Sequence, residues 1–244
     1  MRIELEPAYL LHSRNYRDTS IIADMWTAKY GRIAVIAKGA RRRKGGIKHL
    51  LIPFTPLLLS CQGRSELKTL VHLEWVNSAV YMAGTALFSG FYLNELLLRL
   101  LAVGDAHTPL FARYSETVKE LALDVALEPC LREFEWALLQ ELGYGLDFTQ
   151  DSSCHASANA LHSGKSKQLI NINYRYSFFP ARGFVAEPAG FFSGADLLAI
   201  AAQDYREASA VRAAKLIARE ALRTLLGDKP LNSRVMYQQL LKGC

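Results

Sequence analysis

The hydrophobic pattern of the chain changes character near residue 81. Before this point, apolar residues occur in five short runs separated by turn-like segments, and β-branched residues such as Val35 and Ile36 are typical of strands. After it, apolar residues recur three or four positions apart, which predicts helices. Five short strands fit a small closed barrel, because closure removes exposed sheet edges. The sequence therefore predicts an α+β protein, with a five-stranded β-barrel over residues 1–80 and a mainly α-helical domain over residues 81–244.

The same pattern gives approximate bounds for the elements. The strand-like runs cover residues 5–14, 20–27, 32–38, 54–61 and 66–80. Helices are predicted over residues 86–103, 110–127, 129–142, 194–201, 211–226 and 233–241. Residues 150–190 form an irregular excursion, with a polar loop at 151–167 and a small hairpin from 169–174 and 182–185. Asn94, Glu95 and Arg99 interrupt the apolar stretch 86–103, so it is predicted to be a buried helix and not a membrane span.

The net charge lies almost wholly in the predicted barrel. Residues 1–80 carry 13 Lys and Arg against 6 Asp and Glu, a net of +7, whereas the rest of the chain carries −1 of the total of +6. A basic module beside a nearly neutral one favours contact with a polyanion such as nucleic acid, or an anionic membrane surface as the next alternative.

The predicted nucleic-acid contacts follow from this excess. Cations in turns and at strand ends can bind phosphates, and interleaved aromatic rings can stack on bases. The candidate residues are Arg14, Arg17, Arg32, Lys38, Arg41, Arg42, Arg43, Lys44 and Lys48, with Tyr16 and Trp26 as stacking rings. For Trp26 a place in the barrel core is an equal alternative, because strand alternation alone does not decide its side.

The helical part contains basic residues near apolar ones. They are Arg132, Arg212, Lys215 and Arg219, with Arg223 one turn further on and Leu216 among them. A basic rim around an apolar groove would suit a short acidic peptide with an apolar end, so these residues are predicted to bind a partner. An ordinary solvated helix face is the alternative for any single one of them.

The motifs of enzymes and of metal sites are incomplete. Gly164-Lys165-Ser166 lacks the first glycine of a phosphate-binding loop, and the acidic residues of the barrel are scattered rather than clustered. Cys154, His155 and His162 share one polar loop without the spacing of a zinc site. We expect no enzyme activity, no metal and no cofactor. With four separated cysteines and no secretion signal, we also expect free thiols in the cytoplasm.

Several stretches resemble the bacterial recombination mediator family RecO. They include residues 9–14 (YLLHSR), 31–41 (GRIAVIAKGAR), 53–57 (PFTPL), 92–97 (YLNELL), 142–145 (LGYG) and 229–234 (KPLNSR). The resemblance spans nearly the whole chain in order and is weakest between residues 151 and 180.

The resemblance implies a fold, an activity and partners. It implies an N-terminal OB-fold with a helical C-terminal domain, binding of single- and double-stranded DNA, and annealing of complementary strands. The implied partners are RecR, the acidic C-terminal tail of single-stranded-DNA-binding protein and, indirectly, RecA, whose loading it would help. Localisation would be cytoplasmic, with the nucleoid. Some members hold zinc through four cysteines in the region of 150–180. Here only Cys154 stands there, so no zinc is expected.

Three functions are compared on this basis. The leading hypothesis is a DNA-binding recombination mediator that is not an enzyme. The second is an adaptor whose helical domain docks proteins, with DNA contact secondary. The third, a nucleic-acid-processing enzyme, would need a cluster of carboxylates or histidines that the basic module does not offer.

Overall fold

A computed structural model describes residues 2–123, 126–152 and 168–242 of the chain. The strands are β1 Arg2–Tyr16, β2 Ser20–Thr27, β3 Gly31–Ala37, β4 Leu57–Gln62, β5 Leu67–Trp75, β6 Gln150–Asp151, β7 Gln168–Leu169, β8 Arg175–Phe179, β9 Gly183–Ala186 and β10 Phe192–Ser193. The helices are α1 Gly84–Leu100, α2 Thr108–Ala122, α3 Leu127–Glu141, α4 Gly194–Ala201, α5 Ala208–Leu226 and α6 Asn232–Lys242. A short 3₁₀ helix covers Lys48–Leu50.

The first five strands close into a barrel in the order β1-β2-β3-β5-β4, with β4 returning to β1. All pairs are antiparallel except β3 with β5, which run parallel. Along β3 every second residue is buried, which is the alternation of a strand with one face on a core. The prediction of a five-stranded barrel of the OB type followed by a helical region is confirmed.

The chain divides into two compact units. The first unit contains residues 1–127 and 229–244, so that α1, α2 and α6 belong with the barrel. The second unit contains residues 128–228. The division predicted from the change of pattern, between residues 80 and 81, falls in the segment between β5 and α1 and stays a prediction for the domain boundary.

In the first unit, Asn94 of α1 binds backbone carbonyls of β1 at an irregularity in that strand. The pairing of β1 with β2 shifts register between Leu10 and His12. The Asn94 amide donates to the carbonyls of Leu10 and Leu11 at 3.3 and 3.0 Å, and its oxygen accepts from the Tyr114 hydroxyl at 2.6 Å. A buried carbonyl without a partner is costly, so Asn94 joins α1 to the barrel at a defined point.

Helix α6 docks on α1 through polar contacts at its first turn. The Glu95 carboxylate accepts from the backbone N–H groups of Asn232 and Ser233, each at 2.8 Å. The Arg99 guanidinium donates to the carbonyls of Lys229 and Pro230. A carboxylate at a helix N-terminus satisfies free N–H groups and complements the helix dipole, so the returning chain is fixed against α1.

The second unit packs a small five-stranded sheet, in the order β10-β8-β9-β6-β7, with helices α4 and α5. Its core contains Phe148, Tyr176 and Phe184 together with Ala214 and Ile217 of α5. The predicted hairpin is right in its second strand but wrong in its first. β9 pairs with β8, residues 175–179, and not with residues 169–174. Tyr176 and Phe178, two residues apart, both point into this core. The strand that pairs with β9 therefore begins after residue 174 and not before it.

Candidate nucleic-acid interface

The basic run predicted at residues 38–44 lies in a loop at one end of the barrel, and this loop is hydrogen-bonded to a neighbouring turn. We use the name basic loop for residues 38–48. Ala37, at the end of β3, pairs with Ile21 near the start of β2, so the loop lies beside the β1–β2 turn. The backbone N–H of Arg41 donates to the carbonyl of Thr19 in that turn at 2.9 Å. Two segments far apart in sequence thereby form one surface, the basic end of the barrel.

Three further features fix the course of the basic loop. Gly39 adopts a φ of +70°, a conformation that L side chains rarely adopt, and Arg42 N–H donates back to its carbonyl at 3.0 Å. The backbone passes so closely at Gly46 that a Cβ there would lie 2.5 Å from the Arg42 carbonyl oxygen. Ala40 is 1% exposed and its methyl group belongs to the barrel core. The loop therefore presents its side chains from a defined backbone.

Arg41 anchors this surface instead of extending from it. Its Nη2 donates to the carbonyls of Arg17 and Asp18 at 2.5 and 2.7 Å, and the residue is half-buried. The guanidinium therefore joins the basic loop to the β1–β2 turn, and the assignment of Arg41 as a phosphate contact stays a prediction.

The exposed cations of the basic end come from β1, its turn and the basic loop. They are Arg14, Arg17, Lys38, Arg42, Arg43, Lys44 and Lys48. Asp18 is the one carboxylate in the turn 17–19 and the basic loop. Within the described part of the chain, no carboxylate lies at ion-pair distance from any of the seven. The surface therefore offers a concentrated positive charge to an anion.

The two predicted stacking rings have different environments. Tyr16 is half-buried, and the Arg17 guanidinium lies 5.3 Å from its ring centroid, so an exposed cation–π pair sits at the turn. Trp26 is 0% exposed and packs edge-on against Phe111 and Tyr114 of α2. Its assignment as a DNA-stacking residue is wrong, since the strand face that carries it is covered by a helix.

Arg32 also has a structural role. Its Nη1 donates to the carbonyls of Leu98 and Leu101 at the C-terminus of α1, both at 2.7 Å. Desolvation lowers the pKa of this guanidinium, and the Asp24 carboxylate opposes that shift. A cation at a helix C-terminus satisfies carbonyls that the helix leaves unpaired. Arg32 lies near the β2–β3 turn, at the end of β3 opposite to the basic loop, and its assignment to DNA binding stays a prediction.

The structure adds an aromatic pair that the sequence did not indicate. The indole N–H of Trp75, on β5, donates to the carbonyl of Leu50 at 3.1 Å, and the ring of His49 lies edge-on to it at 6.4 Å. His49 follows Lys48, the last residue of the basic loop, and Trp75 contacts His49 and Leu50. Trp75 is distant from the loop in sequence, and only the barrel pairing places it there.

The predicted partner-binding residues divide into a buried and an exposed group. Arg132 is 5% exposed, and its Nη2 donates to Glu135 at 2.8 Å, so its place on an exposed basic rim is wrong. Both side chains lie on the inner face of α3. On α5, by contrast, exposed cations flank Leu216, which is 41% exposed. They are Arg212, Lys215 and Arg219, of which Lys215 pairs with Glu128 at 2.6 Å.

The residues that the structure describes offer neither a cluster of metal ligands nor a membrane-spanning helix. These residues contain no group of three His, Cys, Asp or Glu side chains that could hold a metal ion. Cys154, His155 and His162, and the tripeptide at 164–166, lie outside the described residues. None of the helices within 2–123, 126–152 and 168–242 is long and apolar enough to cross a membrane.

Comparison with known proteins gives consistent matches along the chain. Residues 1–79 match the family model of the N-terminal part of recombination protein O, and residues 83–234 match that of its C-terminal part. A DNA repair protein RecO from Cellvibrio japonicus is 47% identical over 242 residues, which cover 97% of this chain and 98% of that protein. Proteins of the same name from Haemophilus influenzae and Pasteurella multocida are each 40% identical, over 98% and 96% of this chain and 98% and 94% of theirs.

Proposed function

Since the chain belongs to the RecO family of DNA repair proteins, we propose that it is a DNA-binding recombination mediator that anneals complementary single strands and is not an enzyme. The observation that carries this proposal is the basic end of the barrel. Seven exposed cations from two separate segments lie there on a backbone that Arg41 and Ala40 hold in place. Such a surface binds phosphates without reading sequence.

Annealing follows from charge neutralisation on this surface. Two single strands repel each other through their phosphates, and cations bound to the strands reduce that repulsion. Base pairing then supplies the net free energy, so no nucleotide hydrolysis is required. His49, next to Lys48, and Trp75, which packs edge-on to it, offer rings on which an unpaired base can stack.

The test compares two triple variants of the full chain in salt titrations with labelled single-stranded DNA. The first is Arg42→Ala/Arg43→Ala/Lys44→Ala. The control, Lys29→Ala/Arg64→Ala/Lys119→Ala, removes the same charge from exposed positions elsewhere in the first unit.

We expect the loop variant to lower the slope of log affinity against log salt by about 2, because each lost contact with a single strand removes about 0.7. The same variant should anneal complementary oligonucleotides more slowly in a fluorescence assay. A slope near zero for the unaltered protein, or equal losses in both variants, would contradict the proposal.

A second role, as an adaptor for proteins, is favoured by the exposed face of α5. An exposed leucine flanked by cations is suited to an acidic peptide with an apolar end, such as the tail of single-stranded-DNA-binding protein. The family relationship suggests RecR, and indirectly RecA, as further partners, with the chain helping to load the recombinase onto coated DNA.

The adaptor role is tested by fluorescence anisotropy with a labelled tail peptide. Arg212→Glu/Arg219→Glu should weaken capture at least tenfold, because two attractive charges become repulsive. Arg206→Glu is the control, since Arg206 is exposed in the same unit just before α5. Unchanged capture by the double variant would remove the α5 face from the proposal.

A further inference from the structure

The small sheet of the second unit has an outward face that carries exposed aromatic rings. Tyr176 and Phe178 on β8 face the core of the unit, where Phe184 of β9 packs with them. Successive strand residues alternate in direction, so Ser177 and Phe179 lie on the opposite face. Phe179 is 41% exposed. The second ring is Phe191, next to β10, which is 66% exposed.

Hydrogen bonds fix the backbone of both aromatic residues at the ends of β8. Arg175, at the start of β8, donates from Nε and Nη2 to the carbonyls of Gly190 and Phe191, each at 2.9 Å. At the other end, the backbone N–H of Arg182 donates to the Phe179 carbonyl at 2.9 Å and closes the turn to β9. The backbone of each exposed aromatic residue is therefore hydrogen-bonded to an exposed arginine.

The charge on this face is positive. Arg175 and Arg182 are both exposed, and the strand residues facing the same way, Ser177 and Val185, are uncharged. Two carboxylates of the described residues lie near the sheet: Asp151 on β6 is 3% exposed and accepts from the Ala186 backbone N–H at 3.3 Å, and Glu187 is exposed, with its backbone N–H donating to the Arg175 carbonyl. A face that offers exposed rings and exposed cations complements a ligand that is both flat and anionic.

We infer that this face, formed by Arg175, Phe179, Arg182 and Phe191, is a second binding surface for single-stranded nucleic acid, in which the rings stack on unpaired bases. Base–aromatic stacking tolerates any sequence, because every base has a π-face. A sheet that displays aromatic rings is also an established way of holding unpaired bases. The inference rests on the proposed function and deepens it, because annealing brings two strands to one protein and the basic loop accounts for one.

The two surfaces differ in the physics of binding. The basic loop neutralises phosphates, so its contribution falls steeply with salt. Stacking on Phe179 and Phe191 involves no charge on the protein side. Loss of the rings should therefore lower affinity by a similar factor at every salt concentration, and this distinguishes the two surfaces in one titration.

The experiment uses the full chain with the double variant Phe179→Ala/Phe191→Ala and a labelled oligothymidine. We expect binding at least about fivefold weaker, with an unchanged salt slope. Tyr144→Ala is the matched control, since Tyr144 is an exposed aromatic residue of the same unit that follows α3 instead of lying on the sheet. Phe179→Tyr/Phe191→Tyr keeps both rings and should bind like the unaltered chain.

Photo-cross-linking gives a readout that does not depend on affinity. An oligonucleotide containing iodouracil should form adducts with peptides that contain Phe179 or Phe191, and these adducts should persist in the basic-loop triple variant at low salt. Their absence from the unaltered protein would overturn the inference.

The outcomes separate this inference from the proposed function. If the ring variant binds and anneals like the unaltered chain while the basic-loop variant fails, the second surface is refuted and the mediator role stands. Capture of a protein partner that requires the rings, with DNA affinity unchanged, would also refute it. If both variants bind DNA normally, the proposed function itself fails.

Discussion

The basic end of the barrel and the neighbourhood of α3 and α5 both contain arginine and lysine, yet these cations are used differently. In the barrel, Arg41 binds backbone carbonyls, and the neighbouring Arg42 and Arg43 remain exposed. In the second unit, Arg132 is buried against Glu135, and Lys215 pairs with Glu128. The number of cations therefore says less about an anion-binding surface than the number left exposed without a carboxylate beside them.

The comparison also shows how one arginine makes others available. A carbonyl partner satisfies the Arg41 guanidinium without cancelling its charge, whereas a carboxylate partner does cancel it. Arg41 thereby fixes two segments and still adds to the local positive potential. The buried pair on α3 contributes a charged contact inside the unit and nothing to its surface potential.

The largest effect is expected from breaking the buried pair. Arg132→Ala leaves the Glu135 carboxylate buried without its cation and should lower the free energy of unfolding by about 3–5 kcal/mol. Urea denaturation measures this change. Arg132→Met/Glu135→Leu fills the same space without charge and should recover much of the loss. A cost below about 1 kcal/mol for Arg132→Ala would show that this arginine is as available as those of the basic loop.

A smaller effect is expected at the anchor of the basic loop. Arg41→Ala removes hydrogen bonds to two turn carbonyls and should lower the free energy of unfolding by about 1–2 kcal/mol, since the site is partly exposed. Arg42→Ala, one residue further on, should change it by less than about 0.5 kcal/mol. Thermal melts of the two variants measure both changes.

Arg41 and Arg42 should also differ in their effects on DNA binding. Arg42→Ala should lower the slope of log affinity against log salt by the share of a single phosphate contact, because it removes one phosphate-binding group. Arg41→Ala should weaken binding by a larger factor, since the loop loses both side-chain hydrogen bonds to the β1–β2 turn and keeps there only the backbone bond from residue 41 to Thr19. Equal stability and equal DNA affinity in the two variants would refute the anchoring role of Arg41.

Much of the fold could be predicted because local pattern and final structure agree there. β2 covers residues 20–27 and α4 covers residues 194–201, as predicted, since each combines a regular apolar period with a clear turn at both ends. The hairpin of the second unit failed because residues 169–174 alternate as a strand would, while the core takes its aromatic residues from 175–179.

The candidate site was predictable in location but not in the role of each residue. The run of Lys and Arg at residues 38–44 predicted the position of the basic end, because consecutive cations usually occur in exposed loops. Nothing local distinguishes Arg41 from Arg42, since the difference depends on the carbonyls of a turn more than twenty residues away. The role of Trp26 likewise depends on α2 and that of Arg32 on α1, and both helices lie far from these residues in sequence.

The smallest effect is expected at the exposed ion pair of the second unit. Lys215 and Glu128 both reach solvent, so the attraction between them is weakened by water and the two side chains lose freedom when they pair. A double-mutant cycle with Lys215→Ala and Glu128→Ala should give a coupling of about 0–1 kcal/mol in urea denaturation, decreasing as salt is added. A coupling above about 1.5 kcal/mol would show that Lys215, like Arg132, is held by a carboxylate of its own unit. Arg212 and Arg219 would then be the cations of α5 that an acidic peptide can reach.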